Sequence, residues 1–228
     1  MTNLRGVILD VDGTLVDSND AHALAWLEAL EAEGYDVSFS RVRRLIGMGS
    51  DMLLPELLGL EKDSEQGQRL SQAHTEIFKA RYLPRIKAFD LVPALLGRMA
   101  DSGLTLVVAS SAHEEELEAL LSLAGATDYV QARTSSDDAE RSKPRPDIVR
   151  VALAKLGYAP AEVLMLADTP YDIEAAQPLG VPVIAVRCGG WDDFHLRGAI
   201  AIYDNPADLL AHYDQSPLAQ REGLPVEE

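Results

Sequence analysis

The chain has 228 residues, of which 47% are apolar and 25% charged, a composition typical of a globular protein with a substantial core. This length fits one large domain, or a core domain with one small insertion. The formal charge of −17 argues against a nucleic-acid partner, because phosphate backbones are bound by clustered Lys and Arg. The single cysteine, Cys188, excludes an intramolecular disulfide and a cysteine-rich zinc site.

The amino-terminal segment MTNLRGVILDVDG is apolar over only a few residues. Such a run is too short for a signal peptide or a membrane span. A reducing, cytoplasmic compartment without a membrane partner is therefore the default expectation.

Four short apolar runs bounded by turn signals predict buried parallel β-strands. They lie at residues 6–9, 104–109, 163–167 and 181–186. Helical patterns separate or follow them, at residues 91–100, 114–124, 146–156 and 173–179. Strands alternating with helices of this length indicate the α/β class, with a doubly wound parallel sheet.

The stretch between the first two predicted strands has a different pattern, because it contains helix after helix and no strand-like run. The helical patterns cover residues 21–33, 41–46, 52–58 and 64–82. An insertion of this size is more than a crossover connection needs. We therefore predict a core domain of residues 1–16 and 86–214 and a helical cap of residues 17–85. The polar, proline-containing residues 215–228 are predicted to form a flexible tail.

Polar residues follow three of the predicted strands at the points where those strands end. In open parallel sheets, ligands bind outside the carboxyl ends of the strands. The residues concerned are Asp10, Asp12, Gly13 and Thr14 after the first strand, Ser110 and Ser111 after the second, and Asp168 and Asp172 after the third. Lys143 lies on the loop before the helix at residues 146–156. Each residue alone is more simply a helix cap, a turn former or a solvated lysine, but their joint occurrence predicts a site.

Phosphoryl transfer is the chemistry that requires such a set. Asp10 and Asp168 can hold a hard cation, and oxygen ligands without His or Cys clusters suit Mg²⁺. Asp10 would attack phosphorus, and Asp12 would protonate the leaving group and then deprotonate water. The groups expected to bind the phosphoryl oxygens are Gly13, Thr14, Ser110, Ser111 and Lys143.

Four segments, DVDGTLVDS, VVASS, KPRPD and ADTPYD, resemble the four motifs of the haloacid-dehalogenase superfamily in the same order. The resemblance implies that Asp10 is the nucleophile and Asp12 the general acid/base. It implies a magnesium site formed by Asp10, the Asp12 carbonyl and Asp168, with Asp172 in the outer shell of the metal. It also implies a Rossmann-like core and the four-helix cap of the β-phosphoglucomutase and phosphoglycolate-phosphatase branch. In one departure, Ala167 stands where the family usually has Gly or Glu, which removes a possible further carboxylate near the metal.

Substrate contacts in this branch come largely from the cap. The candidate residues are His22, at the start of the first cap helix, and the loop Gly47–Met48–Gly49, where the backbone can approach a ligand. Trp26 lies one helical turn beyond His22 and is interpreted as part of the cap core.

The resemblance implies a phosphatase that acts on a small phosphate ester, such as a sugar phosphate or phosphoglycolate. A sugar-phosphate mutase is the alternative, because it shares the Asp10 and Asp12 pair. The GMGSD loop favours hydrolysis, since it differs from the arginine-containing loop of β-phosphoglucomutases. A non-enzymatic phosphoacceptor domain is a third hypothesis, although such a domain needs neither a cap nor Asp12. A dehalogenase is disfavoured because those relatives lack an acid at the position of Asp12. The sequence does not define the oligomeric state.

Overall fold

The computed structural model describes residues 4–219, and its centre is a six-stranded parallel β-sheet. The strands are β1 (Gly6–Leu9), β2 (Thr105–Ala109), β3 (Val130–Thr134), β4 (Val163–Ala167), β5 (Val183–Val186) and β6 (Ala201–Tyr203). Their spatial order is β3-β2-β1-β4-β5-β6, which is the order of a Rossmann-type doubly wound sheet. The predicted α/β architecture is confirmed.

The strand register aligns the carboxyl ends of β1, β2 and β4. Leu9 pairs with Val108 of β2 on one side and with Leu166 of β4 on the other. The chain runs from β1 outward to β2 and β3, and then crosses back to β4 on the opposite side of β1. The crevice beside the end of β1 is therefore the topological switch point, where such sheets bind ligands.

Two strands, β3 and β6, are absent from the four that the sequence predicts. Both lie at the edges of the sheet. Edge strands are covered less completely than central strands. Strand β3 has the sequence VQART and buries only its last residue fully, and the three residues of β6 are all half-buried. Neither strand has the continuous apolar run by which the central strands were identified.

Helices fill the segment between β1 and β2, as predicted. They are α1 (Asn19–Ala32), α2 (Phe39–Arg43), α3 (Ser50–Leu58) and α4 (Glu65–Ile77), and α4 continues into one π-helical turn, Phe78–Tyr82. Apolar side chains of α1 to α4 form a cluster of their own that includes Trp26, Leu30, Leu54 and Leu70. We refer to residues 19–82 as the helical insertion.

The remaining helices cover both faces of the sheet. They are α5 (Val92–Asp101), α6 (Glu114–Leu123), α7 (Asp147–Leu156), α8 (Pro170–Ala176) and α9 (Pro206–Ala211). Alternate residues of β1 point to opposite faces: Val7 and Leu9 join the cluster formed with α5, α6 and α9, whereas Ile8 joins the cluster formed with α7 and α8. Burial on both faces explains why the central strands are apolar throughout.

The carboxyl-terminal residues depart from the predicted flexible tail. Gln215 ends a 3₁₀ turn, and Leu218 is fully buried in the apolar cluster beside α5 and α9. The Ser216 hydroxyl accepts a hydrogen bond from the backbone N–H of Leu218 at 3.2 Å. Residues 215–219 are therefore packed, because Leu218 supplies an apolar anchor; the rest of the predicted tail lies outside the described residues. Within residues 4–219, no helix is both long enough and apolar enough to cross a membrane.

Candidate active site

The turn after β1 brings its polar side chains against β4. The backbone N–H of Asp10 donates to the carbonyl of Leu166 at 2.9 Å, so the chain remains beside β4 after β1 ends. Gly13 then adopts a positive φ of 72°. A Cβ at this position would lie 2.1 Å from Asn19 Nδ2 and 2.2 Å from Asp168 Oδ2. Gly13 is thus required both by its backbone conformation and by the close approach of these two side chains.

Three carboxylates meet at this point, together with one lysine. Asp10, Asp168 and Asp172 are each at most 5% exposed, and one ligand oxygen from each lies within 4.8 Å of the other two. Lys143 Nζ lies 2.5 Å from Asp10 Oδ1 and 2.6 Å from Asp172 Oδ1. The Thr14 hydroxyl lies 3.0 Å from Asp10 Oδ2 and 3.2 Å from Asp168 Oδ1.

The buried charges of this cluster do not balance. Burial raises the pKa of Asp10 to about 7, although the Lys143 ammonium opposes the shift. Burial, reinforced by the charge of Asp10, also raises the pKa of Asp168 well above its ordinary value. Burial alone would lower the pKa of Lys143, but the facing carboxylates of Asp10 and Asp172 hold it above its ordinary value. One ammonium therefore faces three carboxylates.

The donor set fits a hard divalent cation. The three carboxyl groups offer only oxygen ligands, and a divalent ion would stabilise the ionised forms of Asp10 and Asp168 that burial disfavours. Asn19 Nδ2 orients Asp168 by donating to its Oδ2 at 2.8 Å, while Asn19 Oδ1 is buried without a hydrogen-bond partner among the described residues. Gly189, after β5, packs against the same carboxylate: a Cβ there would lie 1.7 Å from Asp168 Oδ2.

Asp12 lies apart from this cluster. Its carboxylate accepts hydrogen bonds from the Ser18 hydroxyl at 2.5 Å and from His22 Nε2 at 3.0 Å. Burial alone would raise the pKa of Asp12, but the charge of His22 and the hydrogen bonds from His22 and Ser18 hold it below its ordinary value. Burial likewise would lower the pKa of His22, and Asp12 holds it above its ordinary value. The opposite pKa shifts favour an ion pair in which His22 is the donor and the Asp12 carboxylate is the acceptor.

The comparisons with known proteins agree with this geometry. A family model described as haloacid dehalogenase-like hydrolase matches residues 7–186. The chain belongs to this family. It is 32% identical to the phosphoglycolate phosphatase of Yersinia pestis, over 97% of this chain and 94% of the relative. It is 27% identical to the N-acetylmuramic acid 6-phosphate phosphatase of Pseudomonas aeruginosa, over 93% of this chain and 96% of the relative.

A solved structure of β-phosphoglucomutase from Clostridium difficile has the same fold. Its TM-score is 0.80 at 19% identity, and the match covers 93% of this chain and 96% of the other. The match of the family model over residues 7–186 confirms the haloacid-dehalogenase resemblance of the sequence at the level of the family.

In this haloacid dehalogenase-like hydrolase, a cavity separates the helical insertion from the carboxyl edge of the sheet. Asp10 and Asp12 line it from the sheet side, and Gly47, Met48 and Gly49 line it from the insertion. The predicted residues of the insertion thus lie opposite the two aspartates.

The GMGSD loop also contacts the core directly. The Gly47 carbonyl accepts a hydrogen bond from Ser111 Oγ at 3.3 Å, and Asp51 Oδ2 accepts one from the backbone N–H of Ser142 at 2.9 Å. A Cβ on Gly49 would lie 2.1 Å from Ser142 Oγ, so this loop approaches the core only with glycine there. Ser110 is buried deeper, and its hydroxyl accepts from the backbone N–H of Ala112 at 3.1 Å.

His22 has a contact that the sequence does not reveal. It was predicted as a substrate residue of the cap, and it lines the cavity, but its Nε2 also bonds to Asp12. Its ring stacks on Phe78 with the ring centroids 3.8 Å apart, and its Nδ1 lies 3.4 Å from His74 Nε2. Trp26 is 4% exposed within the apolar cluster of the insertion, as interpreted, and stacks on His74.

Proposed function

We propose that this protein is a Mg²⁺-dependent phosphatase of small phosphorylated metabolites, with Asp10 as nucleophile, Asp12 as general acid/base and the helical insertion as a cap. One observation carries the proposal. Two carboxylates two residues apart occupy different electrostatic environments: Asp10 lies in the buried cluster with Lys143, whereas Asp12 is bonded to His22 and Ser18. A reaction that uses one carboxylate as nucleophile and another as proton donor needs two acids whose environments give them different protonation behaviour.

In the first step, an Asp10 oxygen attacks the phosphorus of the ester in line with the leaving oxygen. The bond between phosphorus and the leaving oxygen breaks, and an acyl phosphate forms on Asp10. The Lys143 ammonium, 2.5 Å from Asp10 Oδ1, is placed to stabilise the charge of the transferring group. Asp10, Asp168 and Asp172 would hold the cation, joined by the Asp12 carbonyl that the family resemblance implies. A bound Mg²⁺ would neutralise these carboxylates and screen the phosphoryl oxygens from the nucleophile.

Asp12 supplies the proton that the leaving alkoxide needs. Because the pKa of Asp12 is held low and that of His22 high, this proton comes to Asp12 from His22, whose Nε2 lies 3.0 Å from Asp12 Oδ1. In the second step the Asp12 carboxylate accepts a proton from the attacking water, and phosphate leaves Asp10 as a carboxylate again. His22 therefore acts through Asp12: it orients the Asp12 carboxylate and holds the proton that Asp12 passes to the leaving group.

The cavity favours hydrolysis over a mutase reaction. A sugar-phosphate mutase must bind an intermediate with two phosphate groups, and the second phosphate requires strong cations. No arginine is among the described residues that line the cavity; Lys62 lines its wall, and Asp51 and Glu116 add carboxylates. The two relatives named as phosphatases support the same choice.

Metal dependence provides the direct test of the function. Chelation by EDTA should reduce release of phosphate from p-nitrophenyl phosphate by about 100-fold, and Mg²⁺ should restore it. Ca²⁺ should restore much less, because its larger and looser coordination disturbs the in-line geometry. Full turnover after chelation, with no residual metal by elemental analysis, would exclude the mechanism.

The stability of the protein should show the same metal site through its pH dependence. The pKa of Asp10 is raised from its ordinary value of 3.8 to about 7 in the folded state. The free energy of unfolding should therefore fall as the pH rises between these two values, because the folded state must release a proton that it binds more tightly than the unfolded state does. Mg²⁺ opposes this loss once the proton has left, so its effect on Tm should be larger at about pH 8 than at about pH 6. Calorimetry with and without Mg²⁺ measures the difference. In Asp10→Asn, the effect of Mg²⁺ on Tm should differ less between the two pH values than in the wild type. An equal effect of Mg²⁺ on Tm at both pH values in the wild type would contradict the assignment.

A further inference from the structure

One acidic side chain faces the cavity without a part in the chemistry described above. Glu116, in the first turn of α6, is only 5% exposed and lines the cavity together with Asp12 and His22. Its neighbours Glu114 and Glu115 are exposed, as expected for acids that favour a helix amino terminus. Burial raises the pKa of Glu116, and the charge of His22 opposes the shift. No described residue makes a hydrogen bond with its carboxyl group.

A second polar group in the cavity also lacks a partner. Ser71 Oγ, on α4, is buried and has no hydrogen-bond partner among the described residues. Ser71 lines the same cavity as Glu116. A buried hydroxyl without a partner costs free energy, so Ser71 favours a ligand that offers it a hydrogen bond. The Glu116 carboxyl group lines the same cavity and is available to the same ligand.

The basic side chains on this side of the cavity are neutral, half exposed or already paired: His22 lies 3.0 Å from Asp12 and His113 lies 2.8 Å from Asp137. Lys62 lines it but is half exposed and also acts on Asp137 through its charge. Burial holds the pKa of His74 well below its ordinary value, so its imidazole is neutral. Lys79 lies near α6, but its ammonium pairs with Glu115 at 2.6 Å.

We propose that Glu116 determines specificity by favouring leaving groups that carry neutral hydroxyls, as in sugar and polyol phosphates, over leaving groups that carry a carboxylate. This inference rests on the proposed phosphatase function and narrows its substrate class. A hydroxyl can donate to the Glu116 carboxyl and can also accept from or donate to Ser71 Oγ. A carboxylate offers Glu116 no proton, and it brings a second negative charge into a buried space.

The test uses two pairs of substrates that differ only at the group in question. Glycerol 3-phosphate and 3-phosphoglycerate differ by a hydroxymethyl group in place of a carboxylate. The phosphate ester of ethylene glycol and 2-phosphoglycolate form a smaller pair with the same difference. The measured quantity is the ratio of kcat/KM within each pair, which cancels any change that affects both members equally.

In the wild type, the hydroxyl member of each pair should be preferred by about 100-fold, since juxtaposed like charges cost several kcal/mol. Glu116→Gln removes the charge and keeps the size, and it should reduce this preference by about tenfold, chiefly by improving the carboxylate substrate. Glu118→Gln is the matched control, because it makes the same change on an exposed face of the same helix and should leave the ratio unchanged.

Two results would overturn the inference while leaving the proposed function intact: a wild-type preference for the carboxylate substrates, or equal ratios in the wild type and Glu116→Gln. A failure of the proposed function itself has a different signature. In that case neither pair is hydrolysed, and p-nitrophenyl phosphate is not turned over either.

Discussion

Asp10→Asn should lower kcat by about 10⁴-fold or more while leaving the protein folded. The amide nearly matches the carboxylate in size, and its oxygen can still accept a hydrogen bond from Lys143. It cannot act as an anionic nucleophile, so no acyl phosphate forms. The substitution also removes one of three buried carboxylates that repel one another, so Tm in the absence of metal should not fall. Steady-state kinetics and calorimetry on the same preparation measure both effects.

Asp17→Asn is the matched control for this variant. It makes the same chemical change in the same motif, but Asp17 is exposed. Its kcat should remain close to that of the wild type. Retention of near wild-type activity by Asp10→Asn would require another nucleophile and would refute the mechanism.

Much of the candidate site could be predicted because its residues follow strands that are easy to recognise. The central strands β1, β2 and β4 are buried on both faces and therefore read as apolar runs. Once such strands are parallel and adjacent, the residues after them must meet at one edge. This geometric rule brings together Asp10 and Asp168, which lie 158 positions apart in the sequence.

The residues that escaped prediction depend on packing between distant segments. Asn19 reads as an ordinary residue at a helix start, and only the structure shows its amide on Asp168. Glu116 reads as one of three acids in the first turn of a helix, where charge alone explains its presence. Lys79 of the helical insertion pairs with the neighbouring Glu115, and Glu116 lines the cavity beside the insertion. No local pattern in the sequence signals these contacts.

The position of His22 shows how contacts change an interpretation. Its place early in α1 suggested a substrate contact, and the structure adds a hydrogen bond to Asp12. Asp12 was also included among the metal residues, yet its carboxylate lies outside the close group of three. The carboxylate is instead bonded to His22 and Ser18, so only its carbonyl is left for the metal role that the family resemblance implies.

The role of Asp12 can be separated from that of Asp10 by the choice of leaving group. Proton transfer by a positioned side chain contributes about 10²–10⁴-fold to a rate. An alkyl phosphate leaves as a poor alkoxide and needs the proton, whereas p-nitrophenolate leaves readily without it. Asp12→Ala should therefore slow phosphorylation of Asp10 by about 10²-fold or more with glycerol 3-phosphate, and far less with p-nitrophenyl phosphate.

Hydrolysis of the acyl phosphate provides the second half of this test. Asp12 is the base towards water in that step for every substrate, so its removal should slow dephosphorylation equally for both. With p-nitrophenyl phosphate, phosphorylation then outpaces hydrolysis, and the acyl phosphate on Asp10 should accumulate. Rapid-quench experiments should show a burst of p-nitrophenolate close to one equivalent per site in Asp12→Ala, and none in Asp10→Asn. Loss of a proton donor must affect a poor leaving group more than a good one. Equal slowing of phosphorylation for both substrates, without a burst, would therefore mean that Asp12 acts only through the geometry of the turn after β1.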